Sequence, residues 1–484
     1  MVKVLIPYEK LDRTKIGSAA SVGEVFRDRL VLEVPDGNFV ANIAPREPAP
    51  ITSLEDAVRR SLENPVCGPR FSELVGPERS IVIITDNQFR PTPTARYLTV
   101  VLDRLEEAGV KDAGVAIGGM FVSHAVPMSV DDIKDKLGAE NVERLEKKGW
   151  DVWQNQPKDP EANQFIGFTK PGTPVWANKK LMRFDVKFGL PLTQANPWGY
   201  GGGGKLGLAM TSEETIEINH NRCYPMSPAT HYGALMGPMR ADIDDIAELM
   251  GYKYALNSIL DTRGNVVDLN YGELPESHRE SVRRYNRIYA YDAPQLMQRK
   301  ADIVICGTFA ESDHLFFHTG WGVNSADFIC KEGGTIIYCS PSPGFRSFPG
   351  LALMDLMKPY MPPTPENFER VLRDIYSRKV AMWSGCIWVP IYEVMLRKHV
   401  KVVTMKENLE LGREIGLDIT DSLDGAFSEA MAEHGANARV AVLPYARLQL
   451  PTWMVDMGNE RGPMAPYSPE HQTERIVMDV ASTA

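Results

Sequence analysis

The sequence predicts an α/β protein made of two α/β domains with the active site in the cleft between them. Two observations predict the class. The apolar run "SIVIIT" breaks into a polar turn, "DNQFRPTPT", then an amphipathic helix, "ARYLTVVLDRLEEAGV", and a second apolar strand, "DAGVAIGGMF". The same grammar reopens at "ADIVICGTFA" and runs through "GGTIIYCSPSPGF", "VLRDIYSRKVAMWSG" and "VKVVTM" to "ARVAVLPYARLQLP". A third observation places the chemistry, a tract almost without side chains, "ANPWGYGGGGKLGLAM", between the two patterns.

Taken in order, the first 80 residues read as short strands and turns, with "DRLVLEVPDGNFVANIAP" as a hairpin around Pro35, Asp36, Gly37 and Asn38. Ser80 to Thr85 form a buried strand, and the helix that follows ends at Gly109. In such units ligands sit at the loops after the strand C-termini, which places "RPTPT" on a binding loop. Residues 131–149 read as a charged helical pair and "FDVKFGLPL" as another strand. Residues 241–252 and 276–300 read as helices. The expected division is 1–296 for a cofactor-binding N-terminal domain, 297–450 for a C-terminal α/β domain, and 451–484 for a tail packing on the surface.

Composition narrows the function. The 53 basic and 63 acidic residues leave a net charge of −10, which argues against nucleic acid or an anionic membrane as the main partner. No apolar stretch is long enough to span a bilayer and no leader pattern opens the chain, so a cytoplasmic location is expected. The six cysteines show no C-x-x-C pair and read as buried or partly buried thiols.

The glycine tract invites a phosphate-loop reading, since Gly199, Gly204 and Lys205 satisfy G-x-x-x-x-G-K. The next residue is Leu206 where a magnesium-binding hydroxyl is required, and no β-branched strand feeds the tract. What remains is a lysine amine on a backbone that bulky neighbours do not crowd. Other candidates stand singly. His220 follows the tract. His124 lies just past a strand end, and Arg90 has the planar fork that suits a carboxylate. His314 and His318 share one loop with Trp321.

Several landmarks in one order resemble the nickel-dependent lactate racemase family. They are "RSLENPVCGPRFSELV", "DNQFRPTPT", "SHAVPMSVDDIKDKLG", "GYGGGGK", "NHNRCYPMSPATHYGALMGPMRADIDDIAEL" and "KEGGTIIYCSPSPG". The resemblance implies a nickel pincer nucleotide attached through a thioamide to Lys205, with His220 as the protein ligand to square-planar Ni(II). It implies His124 as acid/base, Arg90 on the substrate carboxylate, and Asp86, Thr92, Gly201, Gly202 and Gly203 around the cofactor. Asn196, Trp198 and Trp321 would line the substrate pocket. The implied reaction takes the α-hydrogen of a 2-hydroxy acid as hydride while a base removes the hydroxyl proton. The hydride then returns to the other face of the planar keto acid. Proteins that assemble the cofactor are implied partners.

The chain also departs from that family. A second histidine usually precedes the glycine run, and here Gln194, Ala195 and Asn196 stand in that region. Phe317, His318 and Trp321 occupy the places of a Tyr-Gln pair and a lysine. The aspartate expected shortly before Arg90 is Asn87, with Asp86 one step earlier. The expectation is therefore a racemase or epimerase of a 2-hydroxy acid other than lactate, with His318 or His314 as replacement base. The alternatives are a redox or elimination enzyme using the same cofactor, and a non-enzymatic ligand-binding relative.

Overall fold

The computed structural model describes residues 1–8, 29–88, 90–119, 127–196, 199–221, 233, 238–307, 320–342, 355, 357–380 and 382–455. Two six-stranded sheets organise it. The first runs β13 (Val266–Glu273), β12 (Tyr252–Leu260), β9 (Val186–Leu190), β4 (Ile81–Thr85), β5 (Ala113–Ile117) and β6 (Asp151–Gln154). All its pairings are parallel except β12 with β13. Strands β4, β5 and β9 are buried along their whole length. Continuous apolar runs such as "IVIIT" suit this arrangement, because a parallel sheet is covered on both faces. One face packs on the helices Leu54–Glu63 and Thr94–Glu107, the other on the helix Pro238–Met250.

The second sheet is all parallel, in the order β18 (Asp418–Thr420), β17 (His399–Val403), β16 (Cys330–Cys339), β15 (Ala301–Cys306), β19 (Val440–Leu443) and β3 (Phe39–Asn42). β3 corrects the reading of the N-terminus. Pro35 to Asn38 do form a turn, with Asn38 N–H on Pro35 O at 3.0 Å. The strands on either side part company, however. β2 (Arg29–Val34) pairs antiparallel with β1 (Val2–Pro7), while β3 leaves to lie beside β19. Asn38 directs this divergence, since its amide donates to Ala436 O and Ala438 O, both at 2.8 Å. The pair β1–β2 then covers one face of the second sheet through Val4, Ile6, Leu32 and Val34. The second unit is thus discontinuous in sequence, drawing on residues before 43 as well as those after β15 begins.

Smaller pairs are β7 (Asn163–Phe168) with β8 (Pro174–Asn178), β10 (Ala195–Asn196) with β11 (Gly199–Tyr200), and β14 (Ala290–Tyr291) with β20 (Leu450–Pro451). The last pair ties the two units together, as does a shared apolar cluster that includes Tyr200, Val282, Tyr285, Leu448 and Leu450. Cys306, Cys330 and Cys339 are buried and Cys67 partly so, as their scattered spacing suggested. Among the described residues no helix is long and apolar enough to cross a membrane.

Candidate active site

Each sheet reverses its winding once. In the first, β4 hands on to β5 and β6 on one side, while β9 lies on the other side and is followed outward by β12. The loops after β4 and β9 therefore leave the sheet on opposite sides of its winding reversal, at the carboxyl edge where open α/β sheets bind ligands. Those loops are "DNQFRPTPT" and the segment leading to the glycine tract. The second sheet reverses between β15 and β19. Its loops carry Trp321, at the start of the helix Trp321–Asp327, and Arg447.

The loop after β4 is pinned by a buried lysine. Lys136 Nζ meets Asp86 Oδ1 at 2.6 Å, with side-chain exposures of 2% and 13%. The same ammonium donates to Arg90 O at 2.9 Å and Thr92 O at 3.3 Å. Thr92 Oγ1 closes the network on Asp86 Oδ2 at 2.5 Å. Asp86 and Thr92 thus brace from within the loop that carries the half-buried Arg90. Removing one partner of such a pair strands a buried charge, at a cost of about 3–5 kcal/mol.

The glycine tract is held from behind. Four consecutive carbonyls, those of Tyr200, Gly201, Gly202 and Gly203, accept hydrogen bonds from buried side chains. Arg240 serves Tyr200 O and, at 3.4 Å, Gly202 O. His278 Nε2 donates to Gly201 O at 2.8 Å and Tyr252 Oη to Gly203 O at 3.2 Å. In a trans peptide the carbonyl and the next N–H point opposite ways. The amides of Gly202, Gly203 and Gly204 therefore face away from Arg240, His278 and Tyr252, and among the described residues no acceptor meets them.

The protein's own packing already requires glycine at two of these positions. Gly202 has φ +88° and Gly203 φ +54°, and a Cβ on Gly203 would stand 2.5 Å from His278 Cγ. We expect Gly203→Ala to cost about 2–4 kcal/mol, combining left-handed strain with overpacking. Gly201→Ala, whose Cβ meets nothing closer than 3.7 Å, should unfold in urea at the parent midpoint. Asn196 is buried on β10, with its Nδ2 at that 3.7 Å from the position of a Gly201 Cβ.

Lys205 opens the short helix Lys205–Leu208 directly after the tract, and His220 lies on the helix Glu213–Asn221. The two are electrostatically coupled. Burial first, and then the Lys205 ammonium, push the His220 imidazole down to about 3, against the opposing pull of a hydrogen bond to Ile216 O. That bond, at 2.7 Å, is to a carbonyl, which only accepts. Nδ1 therefore carries the proton, and neutral His220 presents its lone pair on Nε2, the state a metal ligand needs. The helix is anchored through Asn219, whose Nδ2 donates to the buried Asp242 at 2.8 Å; Asp242 also accepts from Thr173 Oγ1 at 2.9 Å. His278 is buried too and lies well below the usual imidazole range, from burial and then the charge of Arg240.

The two sheet reversals meet in one contact. Arg447 Nη1 donates to Gln194 Oε1 at 3.0 Å, and the guanidinium lies 4.8 Å from the Trp321 ring centroid. Gln194 O in turn accepts from Gly201 N at 2.7 Å.

The chain is similar to known proteins in sequence and in fold. Residues 27–233 fit the family model described as lactate racemase N-terminal domain. The lactate racemase of Lactiplantibacillus plantarum is 22% identical over 92% of this chain and 98% of its own. That of Thermoanaerobacterium thermosaccharolyticum is 26% identical over 61% of this chain and 68% of its own. The N-terminal region of the chain thus matches the lactate racemase N-terminal domain, and most of its length is similar to lactate racemases. The structure of the lactate racemase apoprotein from T. thermosaccharolyticum superposes with a TM-score of 0.78 at 21% identity, covering 93% of this chain and 100% of that one. A protein of Thermotoga maritima superposes at 0.61 with 17% identity, covering 84% and 99%.

The structure brings Lys205, His220 and Gly201 to Gly203 together, with Asn196 beside the tract. Asp86, Arg90 and Thr92 share the loop after β4, and Trp321 arrives from the second unit. His124, Trp198, His314 and His318 lie outside the described residues, as does the tail beyond 455. Sequence reasoning missed Lys136, Arg240, His278 and Arg447. Only Lys136 carried a signal, as a lysine standing between Ile133 and Leu137 in an apolar helical stripe.

Proposed function

We propose that the protein is an isomerase that inverts a 2-hydroxy acid other than lactate, using a nickel pincer nucleotide. The observation that carries this reading is the pairing of an amine on a glycine tract with a neutral, buried imidazole at electrostatic range. The residues fit the group. Lys205 would hold it covalently, His220 would offer Nε2 to the nickel, and the outward amides of Gly202 to Gly204 suit its phosphate. When bound, the cofactor supplies a carbon that accepts and returns hydride beside Ni(II).

The chain's own residues do the rest. Arg90, on a loop braced by Lys136 and Asp86, orients the substrate carboxylate. The implied base, His124, takes the hydroxyl proton, help that is typically worth about 10²- to 10⁴-fold. Gln194, Asn196 and Trp321 support a substrate other than lactate, because neither an imidazole nor an ammonium stands at those positions.

The test is isomerisation in D₂O by protein made with the cofactor-assembly proteins. Retained α-protium in early product is expected; extensive deuterium at the α-carbon would point to proton abstraction and end the proposal. Gln194 also favours a second reading, because an amide cannot act as the second base. An accumulating keto acid or dehydrated product in place of the other isomer would select it.

A further inference from the structure

Gln194 stands where the two sheet reversals touch, and its orientation is set from the second unit. A guanidinium only donates, so the atom 3.0 Å from Arg447 Nη1 is the amide oxygen. The amide nitrogen then faces the other way. Among the described residues no acceptor meets that nitrogen, although Gln194 is only 8% exposed. The backbone of Gln194 is anchored as well, since its main-chain carbonyl receives the Gly201 N–H at 2.7 Å, at the head of the tract that carries Lys205. Arg447 is 1% exposed and stacked over Trp321, which fixes the guanidinium in turn.

We propose that Gln194 is a specificity-determining hydrogen-bond donor to the 2-oxygen of the substrate, with Arg447 as its positioning residue. The assignment rests on the function proposed above. A cation on the amide oxygen draws electron density from the C–N unit and strengthens the N–H groups as donors. The donor stabilises a carbonyl oxygen without taking a proton, so Gln194 favours acids that present a 2-oxo group in their oxidised state. A site with a buried donor disfavours an analogue that lacks the matching acceptor.

Two probes isolate the 2-oxygen. Pyruvate and propanoate carry the same carboxylate and the same number of carbons, and differ at the 2-oxo group. Calorimetric titration of the holoprotein should show pyruvate bound more tightly than propanoate. Gln194→Met should weaken pyruvate by about tenfold and leave propanoate unchanged. Arg447→Met should weaken pyruvate by a smaller factor, again without affecting propanoate. Equal losses for both probes, or no loss for either, would overturn the proposal and leave Arg447 with Gln194 as a structural latch. Should the parent protein fail to bind pyruvate, the proposal falls, and the mass of Lys205 decides what else falls with it. An adduct there would keep the proposed cofactor and reaction; an unmodified lysine would remove both.

Discussion

Lys205→Ala protein, produced together with the cofactor-assembly proteins, is expected to fold normally, carry no adduct and isomerise at least about 10⁴-fold more slowly than the parent. The main-chain contacts of Lys205 survive the substitution. Its N–H donates to Gly202 O at 3.2 Å, and its carbonyl accepts from Ala209 N at 3.0 Å. Lys205→Arg should be equally inactive. A guanidinium keeps the charge that acts on His220 but cannot form the thioamide, so this variant separates electrostatics from attachment. Chiral analysis of product and intact mass check both variants. Activity in either above about a hundredth of the parent would contradict the assigned role.

His220→Ala is expected to fail differently. The adduct should remain on Lys205 while nickel affinity falls by more than about 10²-fold, because losing a ligand costs at least as much as losing a supporting contact around one. The buried imidazole also fills space, so its loss should lower stability by about 2–3 kcal/mol. Metal analysis after gel filtration and urea unfolding measure the two effects separately. A variant that keeps stoichiometric nickel would place the metal elsewhere.

Much of the first unit was legible in the chain because its signals are local. "IVIIT" and "AGVAI" are apolar throughout, and only a strand covered on both faces accommodates that. Lys205 and His220 stood out as candidates in short motifs, and their roles were implied by the resemblance to the lactate racemase family. The departure of β3 was not legible, because its partner β19 lies some 400 residues away and no local pattern encodes which distant edge a strand joins. The buried cations were hidden for a related reason. Lys136, Arg240 and Arg447 read as surface residues until the fold supplies Asp86, the tract carbonyls and Gln194 as partners. His278 sits on a helix with the ordinary look of an amphipathic surface element, and only the close approach of Gly203 reveals its place. The glycine tract held a second lesson. The sequence suggests glycines that make room for a ligand, whereas Gly202 and Gly203 are also needed by left-handed backbone and by the protein's own packing.

One amine and one imidazole are proposed to act on the same group. Peptide mass mapping of protein co-produced with the assembly proteins, with nickel counted in the same sample, tests it most directly. A nucleotide-sized mass on the peptide containing Lys205, with one nickel per chain, is expected. An unmodified Lys205, or nickel bound without that mass, would contradict it.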